Sequence, residues 1–263
     1  MELEAYLDRI GYQGPREPTA DALRQLHRAH LLTVAFENLD IQLGRSIVLS
    51  LPSLYDKVVL RRRGGFCYEL NGLFGWLLEQ LGFSVKKLSA RVVEGDQLGP
   101  EFDHLVLMIQ LKERWIADVG FGDSFLEPLP LDSEEERVQP GGAYRLTGSG
   151  SKKTLERRRE SGWQPQYVFS LTPRQLVEFA AMCQRHQTSS ASVFTQKTVC
   201  SVATPDGRIT LSNGRLITTV GERFEERKVT AEEDYRALLQ DHFGIDLGSG
   251  IRAQILFEGV EPR

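Results

Sequence analysis

Cys67 stands in RRRGGFCYELNGLF, residues 61–74, directly after two glycines and an aromatic and at the head of an apolar repeat. A thiol at the start of a helix could act as a nucleophile. The unpaired N–H groups and positive dipole end of a first helical turn favour an anion, whether a thiolate or the oxyanion of an acyl intermediate. A free cysteine is equally at home as a small buried hydrophobe. Cys183 in AAMCQRH and Cys200 in KTVCSV, both among apolar neighbours, are expected to be core residues. Only about a few per cent of an unperturbed thiol is ionised near neutrality, so a nucleophilic Cys67 needs a base. His27 and His30 fall on an early helix as surface or interhelix residues, and His186 and His242 at polar helix ends. His104 opens HLVLMIQL directly after a polar loop, where a strand end presents its side chain to a cleft. An imidazole base needs an orienting acceptor. WIADVGFG places Asp118 in an otherwise apolar strand, where an unpaired carboxylate is costly. Asp103 is the rival acid, but neighbours along a strand point to opposite faces, which favours Asp118.

Two kinds of element must hold these groups. Leu70, Leu73, Phe74, Leu77, Leu78 and Leu81 follow the i, i+3, i+4 repeat of a buried helix, with Cys67 in its first turn. VKKLSARVV, HLVLMIQL and WIADVGF read as strands. If the last two form a hairpin through the turn at 112–114, a two-residue turn sets His104 and Asp118 on opposite faces, whereas a three-residue loop or a bulge sets them on the same face. The sequence leaves that register open. Gly64 and Gly65 would permit a sharp turn into the helix and close approach to a bound group. Arg61, Arg62 and Arg63 read as surface residues with ion-pair partners.

The wider pattern is helical over residues 1–85, where Thr19 is a plausible N-cap for ADALRQLHRAHLLTVAF, and turns to strands after 86. The polar segment 132–162 is expected to form exposed loops and edge strands, and SLTPRQLVEFAAMCQRH a helix entered through Pro173. PDGR and SNGR mark tight hairpin turns, and EEDYRALLQDHFG a late helix.

At 263 residues, 41% hydrophobic and 26% charged, the chain is long enough for two or three subdomains. A net charge of -4 argues against nucleic acid or an anionic membrane as partner. Three cysteines without close pairing suggest neither a disulfide framework nor a zinc site. Cys183 and His186 have ligand-like spacing but no second pair, so no metal is expected. With no signal-like N-terminus and no long apolar run, the expected location is cytoplasmic.

With Cys67, His104 and Asp118 in view, the chain resembles the arylamine N-acetyltransferase family. The resemblance rests on YLDRIGYQGP, LHRAHLLTVAFENLDI, RRRGGFCYELNGLF, HLVLMI, WIADVGFGDSFLEPL and VFTQKTVCSVATPDGRITL. It implies an α+β multi-domain fold around a cysteine-protease-like Cys-His-Asp core. A helical domain over 1–85 would carry the nucleophile, a β-barrel-like domain over 86–190 the base and acid, and 191–263 an α/β lid. It further implies that Cys67 accepts an acetyl group from acetyl-CoA, with His104 as its base and Asp118 orienting the histidine. Ping-pong transfer to an aromatic amine or hydrazine would follow, by a monomer or homodimer. Phe36, Phe121 and Phe125 would wall the acceptor pocket, with Gly120 and Gly122 permitting close approach. Gly122 and Ser192 are the expected coenzyme A contacts, and Glu37 and Asn38 are expected to hold domain contacts. The chain departs from the family in having Ala35 where a proline is usual, and serines in loop 188–194 where a His-Pro pair is usual. Two alternative functions share the same residue types. One is an amide synthase of the same family acting on a carrier-bound polyketide, and the other a transglutaminase- or papain-like hydrolase.

Overall fold

A computed structural model describes residues 1–221 and 223–257, so that Glu222 and 258–263, the end of the expected lid, lie outside it. Its helices are α1 (Leu3–Arg9), α2 (Ala20–Thr33), α3 (Leu39–Gln42), α4 (Leu51–Tyr55), α5 (Cys67–Gln80), α6 (Ala180–Thr188), α7 (Val193–Gln196), α8 (Glu232–Phe243) and α9 (Gln254–Phe257). Its first strands are β1 (Phe36–Glu37), β2 (Ser84–Glu94), β3 (Gln97–Leu98), β4 (His104–Gln110), β5 (Arg114–Ala117), β6 (Leu129–Pro130) and β7 (Arg137–Gln139). There follow β8 (Gly142–Thr147), β9 (Lys152–Arg159), β10 (Gly162–Arg174), β11 (Cys200–Thr204), β12 (Gly207–Ser212), β13 (Arg215–Val220) and β14 (Arg223–Lys228).

One sheet runs β6-β5-β4-β2-β10-β9-β8-β7, with β3 paired to β2. Its two ends approach each other. The Gln139 side chain of β7 donates to the Glu127 carbonyl at 3.0 Å and accepts from the Glu127 N–H at 2.8 Å, just before β6, so the sheet curls into a near-barrel. A second sheet runs β1-β11-β12-β13-β14, which brings a strand from the helical half into the C-terminal part. Its hairpins turn where the sequence marks them. Asn213 and Gly214, at φ 44 and 69, link β12 to β13 as the left-handed pair of a type I′ turn. α8 ends on Gly244 at φ 65, a left-handed cap that glycine adopts at little cost.

Alternation along β4 explains how the sheet joins two cores. Leu105, Leu107 and Ile109 face the helices and pack with Leu70, Leu73, Phe74, Leu77 and Leu78 of α5. Val106 and Met108 face the inside of the curled sheet, with Leu146, Leu155 and Tyr167. The α5 leucines and Phe74 are fully buried, and each burial contributes about 1.5–3 kcal/mol. A third core, around Tyr235, Leu239 and Leu256, lies beneath the second sheet.

Two expectations need correction. Pro173 does not open a helix. It lies in β10 opposite Leu88 at a register shift, where a strand tolerates a residue without an N–H, and α-helix begins only at Ala180. Segment 132–162 is more than surface, because Tyr144, Leu146 and Leu155 of β8 and β9 alternate into the sheet's inner core.

Candidate active site

The hairpin of β4 and β5 pairs Leu107 with Ala117 and Gln110 with Arg114, leaving a three-residue loop of Leu111, Lys112 and Glu113. That register puts His104 and Asp118 on one face. His104 Nε2 lies 2.8 Å from Asp118 Oδ2. Oδ2 also accepts from the Tyr167 hydroxyl at 3.0 Å, and Oδ1 accepts from Asn71 Nδ2 at 2.8 Å and the Gly120 N–H at 3.0 Å. Burial alone would raise the Asp118 pKa, but His104, Asn71 and the Gly120 amide outweigh it and hold the carboxyl below its ordinary range. An ionised Asp118 accepts the Nε2 proton, which leaves Nδ1 as the basic atom of the neutral ring. Asp103 turns elsewhere: its Oδ1 lies 3.3 Å from His186 Nε2, and its Oδ2 accepts from the Val92 N–H at 3.3 Å.

β5 ends at Ala117, so the backbone of Leu105 in β4 loses its ladder partner on that side. The N-terminal turn of α5 takes over. Asn71 donates to the Leu105 carbonyl at 2.7 Å. Cys67, at the start of the same helix, lies against Gly120, two residues past Asp118. Gly120 makes this approach possible, since a Cβ there would sit 2.8 Å from Cys67 Cα. Asn71 also accepts from the Val119 N–H at 2.9 Å, so one side chain ties α5 to both strands. Its signal in the sequence is a polar residue one helical turn after Cys67, inside an apolar helix.

Cys67 is 4% exposed. Burial pushes its thiol pKa well up, Cys183 and Asp118 add to the rise, and the Leu105 N–H opposes it. Forming the thiolate thus requires a proton acceptor at the site. Cys183 and Cys200 are buried core residues.

Behind the site, the start of α5 is held by buried charge. Glu69 accepts the Phe66 N–H at 3.0 Å and pairs with Lys57 at 2.9 Å. Lys57 also meets Asp40 at 2.9 Å, and Arg63 binds Glu37 at 2.7 Å and Asp40 at 3.2 Å. Arg63 is therefore not a surface residue, although Arg61 is exposed and paired with Asp56. Glu37 also accepts the Leu39 N–H, and Asn38 accepts the Val199 N–H and donates to Lys197, as structural residues should. Gly64 serves close packing of the chain on itself, because a Cβ there would lie 2.0 Å from the Ala35 carbonyl oxygen.

Phe121 meets the His104 ring edge-on at 5.2 Å. Gly122, at φ +87, has the Phe36 ring 3.5 Å from where its Cβ would be. Phe36 also approaches Phe194, at 6.2 Å between ring centres. Phe125 is fully buried, stacked on His27 at 5.6 Å and against Tyr144 at 5.9 Å, so its size serves the core. Ser192 is also buried. Its hydroxyl caps α7 by accepting the Phe194 N–H at 3.2 Å, and it lies 3.3 Å from His186 Nδ1. His27 and His30 are fully buried, and His30 Nε2 lies 3.0 Å from the Tyr6 hydroxyl of α1, the interhelix one of the two expected placements. Among the described residues no group of three or more metal-binding side chains is gathered, and no helix is long and apolar enough to cross a membrane.

Known proteins resemble this chain over most of its length. A family model described as N-acetyltransferase matches residues 19–252. The chain is 36% identical to the arylamine N-acetyltransferase of Mycolicibacterium smegmatis over 94% of its own length and 93% of the relative's. It is 37% identical to the arylamine N-acetyltransferase / N-hydroxyarylamine O-acetyltransferase of Salmonella typhimurium over 92% and 88% of the two chains. Among solved structures, the Mycobacterium marinum arylamine N-acetyltransferase in complex with CoA superposes with a TM-score of 0.90 at 34% identity, covering 97% of each chain. The Salmonella typhimurium enzyme gives 0.89 at 36% identity over 96% of each chain.

Proposed function

The chain belongs to the arylamine N-acetyltransferase family, and from that premise we propose that it carries an acetyl group from acetyl-CoA to an aromatic amine or hydrazine through acetyl-Cys67. Cys67 is the nucleophile, His104 the base and Asp118 the acid that orients it. Residues 1–85 form the unit that carries the nucleophile, 86–190 the unit that carries base and acid, and 191–263 the lid. The observation that carries the reading is the 2.8 Å bond from His104 to Asp118, with Gly120, two residues past Asp118, lying so close to Cys67 that a Cβ there would sit 2.8 Å from its Cα.

In the first half-reaction, Cys67 passes its proton to His104 Nδ1 as sulfur attacks the thioester carbonyl. Asp118 stabilises the imidazolium that forms. The carbon–sulfur bond to CoA breaks, and CoA leaves as a thiol with the proton from His104. N–H groups in the first turn of α5 lack intrahelical partners and face the developing oxyanion. In the second half-reaction the amine attacks the acetyl carbonyl, His104 takes a proton from its nitrogen, and the bond to Cys67 sulfur breaks. Phe36 and Phe121 wall the acceptor ring, and Phe125 supports them from the core.

The test is intact-protein mass spectrometry after mixing with acetyl-CoA alone, then with an aromatic amine, with peptide mapping of any adduct. One acetyl group on Cys67 that disappears when the amine arrives is the expected result. An adduct on Cys183 or Cys200, or acetyl transfer at full rate by Cys67→Ser, would overturn the reading.

A further inference from the structure

We propose that His27 is a positioning residue for this site: its ring bridges the two strands flanking segment 119–125, fixing the backbone of Asp118 and the loop that carries Phe121. The proposal rests on the role given above to Asp118. β5 and β6 pair through Trp115 with Pro130 and Ile116 with Leu129, and then part. Where the next rung would fall, the imidazole replaces it. The Asp118 N–H donates to His27 Nε2 at 3.0 Å, and His27 Nδ1 donates to the Leu126 carbonyl at 2.9 Å.

Only a neutral ring protonated at Nδ1 makes both bonds. The protein favours that form, since burial lowers the His27 pKa to about 4. The ring is further fixed by its stack on Phe125, 5.6 Å between centres with the planes 7° apart, and by its edge contact with Phe74 at 6.1 Å. His27 thus holds both ends of one loop. Asp118 at the first end orients His104, and Phe121 within the loop packs on the same ring at 5.2 Å.

The two bonds can be removed separately. His27→Phe keeps an aromatic ring against Phe125 and loses both. His27→Gln returns an acceptor near the Nε2 position, and His27→Asn a donor near Nδ1. Three quantities are read: the single-turnover rate of acetyl-Cys67 formation, the pH profile of Cys67 alkylation by iodoacetamide, and KM for an aromatic amine.

His27→Phe should slow acetylation by about 10- to 100-fold, the scale for displacing a reacting group by roughly 1 Å, and shift the alkylation profile. His27→Gln should recover most of the acetylation rate while the amine KM stays raised. His27→Asn should show the reverse split. A folded His27→Phe with unchanged alkylation profile and amine KM would overturn the proposal. If His27→Phe does not fold, the Gln and Asn variants decide, and equal losses in both half-reactions would reduce His27 to a stability role and overturn it equally. Asp118→Asn in the same assay separates the two ideas. If it acetylates at the wild-type rate, the role of Asp118 fails, whereas a slow Asp118→Asn beside an unaffected His27→Phe removes His27 alone.

Discussion

Asp118 meets His104 across a hairpin whose loop has three residues, and the 2.8 Å contact exists because that loop length puts both side chains on one face. The carboxylate accepts from Nε2, so it chooses the tautomer as well as the orientation. Asp118→Asn keeps the size of the side chain but can present a donor to the ring. Acetylation of Cys67 should then fall by about 10³–10⁴-fold, the scale seen when a triad carboxylate becomes an amide. Stopped-flow release of CoA would measure it, with circular dichroism to verify the fold. A loss below tenfold would remove Asp118 from the chemistry.

Gly120 packs against the start of α5, where its missing side chain lets a strand end and a helix touch. In Gly120→Ala the new carbon would lie 2.8 Å from Cys67 Cα and 2.9 Å from its carbonyl oxygen, both backbone atoms that cannot rotate away. The variant should lose about 1–3 kcal/mol in urea unfolding and alkylate at Cys67 at a different rate. Gly250→Ala, with nothing within 4 Å of the added carbon, is the control and should match the wild type in both.

Three residues of the site were legible in the sequence, and their supports mostly were not. Cys67 was marked by its glycines and apolar helix, and Asp118 by being a charge in an apolar strand. Those signals are local. His27 and Tyr167 reach Asp118 from 91 and 49 residues away, and no local pattern distinguishes them from ordinary polar residues of helices and strands; Asn71, 47 residues away, is marked only by being polar inside an apolar helix. The same limit applies to Arg63. A run of three arginines reads as solvated surface, yet its last member is buried because Glu37 and Asp40 come to meet it. Phe125 shows a related limit, since the sequence gives no sign that its ring turns into the core.

Lys57 holds three carboxylates together behind the start of α5, at 2.9 Å from Glu69, 2.9 Å from Asp40 and 3.8 Å from Glu37. Lys57→Met would leave those acids with Arg63 as their one fully buried cation among the pairs described. Breaking a buried pair on one side typically costs about 3–5 kcal/mol, so this variant should unfold at markedly lower urea. Pairing it with Glu69→Gln should cost less than the two single changes summed, because the second removes a charge the first stranded. Additive losses within error would show that Lys57 and Glu69 act independently.

Two fully buried histidines predict how stability depends on acid. Burial holds His27 at about 4 and His30 well below its ordinary value, whereas in the unfolded chain both titrate near 6.5. Between those limits the unfolded chain binds protons that the folded chain refuses, so stability is full above pH 6.5 and falls as the pH drops toward 4. For His27 alone the loss over that interval is about 3 kcal/mol. Asp118, with its pKa depressed from 3.8, loses its contribution only below that value, under the interval in which His27 acts. Urea unfolding at several pH values from 6.5 to 4.5 should therefore give a falling stability whose slope in His27→Gln is shallower by about one proton, roughly 1.4 kcal/mol per pH unit at most. An unchanged slope would mean that His27 already carries a proton in the folded protein. A charged ring cannot accept the Asp118 N–H, so that result would also contradict the bridge between the two strands.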